Sequence, residues 1–91
     1  PADVVKDIEY LAEEEKSDKS KVIRELLAEA IMKRLLELAI KKYVEKKISL
    51  GRAAELARIP IVEFMKVIAE KAIVINYSMK SLEEDFKKAL S

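Results

Sequence analysis

Cysteine, histidine and tryptophan are absent from this 91-residue chain. Their absence excludes disulfides, thiolate and imidazole metal sites, and catalysis by Cys or His. Glycine occurs once, at Gly51, and proline twice, at Pro1 and Pro60. No Gly-rich phosphate loop can be built from that inventory, and helices can run far without a breaker. Asn76 is the single side-chain amide in a chain rich in Lys and Glu, the compositional direction that thermostable proteins take. No run reaches the roughly 18 apolar residues needed to span a bilayer, and Pro1, Ala2 and Asp3 do not open a secretory leader. The expectation is a cytoplasmic protein that is not an enzyme, with no catalytic residues, no cofactor, no metal and no membrane partner.

About half of the residues, 51%, are hydrophobic. That suffices for one small domain or two very small modules sharing a core, but so short a chain buries apolar surface inefficiently by itself. Association into a homodimer is therefore expected. The net charge of +1 conceals an uneven distribution: residues 1 to 18 carry seven acids and two bases, residues 19 to 60 five acids and eleven bases, and residues 61 to 91 five of each. An acidic start followed by a basic middle is compatible with ordinary solvated helix faces and with a polyanion-binding surface alike.

Val4, Val5, Ile8, Leu11 and Ala12 recur at helical spacing opposite Lys6, Glu9, Glu13 and Glu14, predicting a first helix over about residues 2 to 15. Ser17 and Asp18 are both good N-caps for a second helix. Its stripe of Val22, Ile23, Leu26, Leu27, Ala30 and Ile31 continues through Leu35, Leu38 and Ala39 to Tyr43 and Val44, a length of about 40 Å at 1.5 Å per residue. The later part of that helix is apolar most of the way round, more than one short first helix can cover. A two-subunit core of Val5, Ile8, Leu11, Val22, Ile23, Leu26, Leu27 and Ala30 follows from this excess.

The next segment changes character. Ser49 caps a predicted short helix over residues 50 to 57, Arg58-Ile59-Pro60 breaks the chain, and another helix runs from about Ile61 to Ala72. Two short helices with small Ala53 and Ala54 at the close approach have a helix-turn-helix pattern. Residues 73 to 77 read as a short extended piece, and Ser81-Leu82-Glu83-Glu84 as a capping box opening a last helix with Leu82, Phe86, Ala89 and Leu90 on its apolar face.

The first 34 residues, with Ser20-Lys21-Val22-Ile23-Arg24-Glu25-Leu26-Leu27 as the most recognisable string, resemble the helical part of ribbon-helix-helix DNA-binding proteins. Residues 35 to 90 resemble a family of small, largely uncharacterised prokaryotic proteins regarded as predicted antitoxins, through Ile48 to Ile59, Phe64, Ile68 to Ile73, Ile75 to Tyr77, and Glu84-Asp85. Together the resemblances imply an all-α fold: a ribbon-helix-helix-like dimerisation pair with a long second helix over residues 1 to 47, a helix-turn-helix-like unit over 48 to 72, and a short C-terminal tail over 73 to 91. They imply a DNA-binding transcriptional regulator, the antitoxin of a toxin-antitoxin pair, with DNA and a toxin protein as partners. In ribbon-helix-helix proteins a short strand ahead of a Pro like Pro1 pairs with its copy in a second chain and reads base edges, so the resemblance expects a reading strand upstream of Pro1.

The residues expected at DNA are Lys16, Ser17, Lys19, Ser20 and Lys21 around the start of the second helix, where free backbone N–H groups and the positive dipole end favour a phosphate. Arg52 and Arg58 are further phosphate-contact candidates. Two departures restrict the helix-turn-helix reading: Arg58 stands where such turns usually carry Gly, which predicts a looser turn, and the first turn of the would-be recognition helix, residues 60 to 63, offers no Arg, Lys, Asn or Gln to a base edge. Packing or partner binding is favoured over base reading for that unit. The partner-binding segment is expected in the tail, at Ile73, Val74, Ile75, Tyr77, Phe86 and Leu90. Its alternative is folding back onto the preceding helices. Glu13, Glu14 and Glu15 project about 100° apart on a helix and cannot converge on one metal ion. Tyr10, Tyr43 and Tyr77 lie in three separate segments and suit packing better than base stacking. A purely helical protein-interaction module without direct DNA contact is the competing reading.

Overall fold

The computed structural model describes residues 3–71 and 79–91. Five helices occupy them: α1 (Val4–Glu14), α2 (Lys19–Val44), α3 (Leu50–Ala57), α4 (Ile61–Lys71) and α5 (Met79–Leu90). No strand occurs among the described residues. The expected extended piece at residues 73 to 77 lies outside them. The chain packs as two units, Pro1–Ile31 and Met32–Ser91.

In the first unit, Asp3 caps α1 by accepting from the Lys6 backbone N–H at 3.1 Å. The helix ends where Lys16 turns left-handed, φ 52°, and the N–H groups of Lys16 and Ser17 close back onto the carbonyls of Glu13 and Ala12 at 3.2 and 2.8 Å. The cap of α2 is Asp18, the residue immediately before it, which accepts from the Lys21 N–H at 2.7 Å. Little is buried here: Ala12 and Val22 are covered, while Ile8 and Leu11 are half-buried. Val5, Leu26, Leu27 and Ile31 are exposed, at 64, 39, 57 and 52%.

The second unit holds the larger core. Ala39, Ile40 and Tyr43 from the end of α2 join Leu50, Ala53, Ala54 and Ala57 of α3, Phe64 and Ile68 of α4, and Leu82 of α5. Tyr43 meets Phe64 edge to face, ring centroids 6.2 Å apart at 84°, an arrangement the ring quadrupoles favour. Ala53 and Ala54 lack any side chain beyond Cβ, which is why α3 can lie close against α4 and α5.

The α3–α4 connection departs from expectation. Arg58 adopts φ 60°, ψ 37°, and the Arg58 and Ile59 N–H groups reach the carbonyls of Glu55 and Ala54 at 3.1 and 3.2 Å. The turn is fully closed, not loosened. Both bonds satisfy helix-end carbonyls, and those contacts outweigh a left-handed cost of about 1–2 kcal/mol for a residue with a Cβ. The start of the last helix also differs: α5 begins at Met79, so Ser81 sits inside it and not at its cap.

Candidate functional site

Three places hold the residues singled out from sequence. The first is the α1–α2 junction, which gathers Lys16, Ser17, Lys19, Ser20 and Lys21 within one turn of chain. All but the half-buried Ser17 are exposed. Two features lower its affinity for a phosphate. The Asp18 carboxylate already occupies the cap, and the Lys19 ammonium is 3.3 Å from Glu9 of α1. With side chains half or more exposed, that ion pair is screened and contributes little to stability.

The second place is α3. Arg52 stands in its first turn, beside Glu55 at 3.2 Å, and Arg58 ends it. They stand at opposite ends of α3, about 9 Å apart along the axis at 1.5 Å per residue. On α4 the exposed first-turn side chains are Val62 and Glu63, neither able to donate to a base edge.

The third place involves α5. Phe86 is half-buried against the second unit's core and Leu90 is exposed. The other expected partner-binding residues, Ile73, Val74, Ile75 and Tyr77, lie outside the described residues. Leu82, 1% exposed, anchors α5 in that core. Beside it the Tyr43 hydroxyl donates to the Asp85 carboxylate at 2.5 Å, which provides a polar partner for a phenol that is otherwise 4% exposed. This pair borders a cleft of about 600 Å3 between the end of α2, the start of α3 and α5. Lys46, Lys47, Ser49, Ser81, Glu84 and Lys88 also line it.

Sequence reasoning missed this cleft. The available signal was chemical: a Tyr on a stripe that must be buried needs a partner for its hydroxyl, but acidic residues occur along the whole chain and nothing local singles out Asp85.

No group of three or more His, Cys, Asp or Glu among the described residues can hold a metal ion. No helix among them is long and apolar enough to cross a membrane. The geometry therefore defines a class: a small all-α protein whose distinctive surfaces are a cationic helix start, an apolar helical face and a charged cleft. The chain belongs to the uncharacterised protein family UPF0175, whose profile matches residues 2–90. It is 34% identical over 53 residues to a UPF0175 protein of Synechocystis, covering 58% of this chain and 60% of that protein. It is 38% identical over 50 residues to a UPF0175 protein of Archaeoglobus fulgidus, covering 55% and 58%. The chain thus spans about three fifths of the length of these curated relatives. No solved structure matches it.

Proposed function

We propose that this protein is a DNA-binding transcriptional regulator of the antitoxin type, acting as a homodimer joined through the helices of its first unit, with a toxin protein as its second partner. The observation that carries the assembly is the uncovered apolar surface of that unit. Val5, Leu26, Leu27 and Ile31 are all more than one third exposed. Burying each large aliphatic side chain contributes roughly 1.5–3 kcal/mol, so a second copy has several such residues to gain from. The DNA role is supported by the exposed lysines and the helix N-terminus at the α1–α2 junction, with base reading assigned to a strand expected ahead of Pro1.

Sedimentation equilibrium tests the assembly. A dimer at micromolar concentration that Leu27→Asp converts to monomer supports it, and a wild-type monomer rejects it. For DNA, footprinting of the full-length protein on the promoter of its own gene should give a bounded protected site, which is the outcome that a regulator requires.

A second reading has its own support. With Asp18 on the cap and Glu9 on Lys19, the junction is partly neutralised, as suits a helical interaction module that never touches DNA. A footprint that vanishes against excess nonspecific duplex would favour that module.

A further inference from the structure

The charge of the chain divides along the boundary between its units. Residues 1–31 carry nine acidic and five basic side chains, whereas residues 32–91 carry eight acidic and thirteen basic. The first unit is therefore net negative and the second strongly positive. Within the second, cations concentrate where α2 ends: Lys41, Lys42, Lys46 and Lys47 fall within seven residues. Lys41 and Lys42 stand in the last turn of α2, where they complement the helix dipole, and need no other explanation.

Lys46 and Lys47 lie beyond that turn. Their N–H groups bond the carbonyls of Tyr43 and Lys42, both at 2.9 Å, and fix Lys46 at φ 61°. The backbone that carries them is thus pinned. Lys88 enters the same cleft from α5. Lys47 lies 3.4 Å from Glu45, while Lys46 and Lys88 have no ion-pair partner among the described residues.

We infer that the rim of this cleft, Lys46, Lys47 and Lys88, is a phosphate-contact surface for duplex DNA, supplying sequence-independent affinity from the second unit. The inference rests on the DNA-binding reading but relocates the electrostatic attraction. Glu84 and Asp85 line the cleft too, and Asp85 accepts from Tyr43. With two carboxylates beside three ammonium groups, the cleft does not enclose an isolated anion; the lysines at its rim engage a backbone passing over it. A polyanion fits better than a single acidic group because Arg52, Arg58, Lys66, Lys80 and Lys87 spread further exposed cations over the same unit, and counterion release grows with the number of phosphates met.

The test uses the 91-residue chain and a fluorescent duplex of random sequence, about 30 base pairs long, titrated at several salt concentrations. Replacing Lys46, Lys47 and Lys88 together by Gln should weaken binding at least tenfold at 0.1 M salt. It should also flatten the slope of log affinity against log salt by about two to three units, since each phosphate contact contributes about 0.9. The triple Arg variant should restore both. An unchanged slope in the Gln variant, or no duplex binding by the wild-type chain, overturns the inference, as does tighter binding of a decaglutamate peptide than of the duplex, which points to an acidic protein segment instead. The parallel variant with Lys16, Lys19 and Lys21 replaced by Gln reads the α1–α2 junction separately. If operator recognition fails while the random-duplex slope still depends on Lys46, Lys47 and Lys88, the regulator reading falls and the surface stands.

Discussion

Among the described residues, three with side chains adopt the left-handed conformation, Lys16, Lys46 and Arg58, while the one glycine, Gly51, lies in the first turn of α3. Both assignments run against backbone preference. A Cβ costs about 1–2 kcal/mol in that conformation, and a glycine inside a helix costs about 0.5–1 kcal/mol relative to alanine. A Cβ built on Gly51 meets nothing within 4 Å. Gly51→Ala should therefore stabilise the protein by up to about 0.5–1 kcal/mol, the value for a helix interior, read from the denaturant midpoint at unchanged slope. Arg58→Gly should add a similar amount, the relieved strain exceeding the extra freedom that glycine gives the unfolded chain. A fall in stability for Arg58→Gly would mean that its side chain makes contacts worth more than the strain.

Of the helices, α5 is held to the core through a single buried residue among those described. Leu82 is 1% exposed in the core that α3 and α4 share with it. Leu82→Ala should destabilise by about 2–5 kcal/mol, the usual range for emptying such a position, and ending the chain before α5 should cost more. If thermal melts of the truncated chain match the wild type, α5 is a free tail and its apolar residues are available to a partner. The periodicity of residues 4 to 44 made α1 and α2 readable, because a stripe repeating every three to four residues has one interpretation over that length. Ser49 and the small Ala53 and Ala54 made α3 readable by capping and close packing. The start of α5 was not readable: Ser81-Leu82-Glu83-Glu84 satisfies a capping box on paper, but the helix begins at Met79, two residues before that box. The roles of Ser17 and Asp18 were equally hidden, since both are good caps and only the observed start of α2 at Lys19 decides between them. The Tyr43–Asp85 hydrogen bond joins positions 42 residues apart in sequence, and no local rule connects them.

For the molecule as a whole, the opposite charge of its two units means that a net charge of +1 and a pI near 8.4 describe no actual surface. At the isoelectric point an ordinary protein loses its mutual repulsion; this one retains separate negative and positive regions that attract their opposites on neighbouring molecules. Such attraction reaches about 30 Å at 0.01 M salt and about 8 Å at 0.15 M. The protein should accordingly be least soluble in dilute buffer near pH 8.4 and should salt in: turbidity of a concentrated solution should clear as sodium chloride rises from about 10 to 300 mM, as the screening length shortens. Turbidity that instead grows with salt would assign the association to apolar contact. Ionic strength, more than pH, then sets the working conditions for handling this chain.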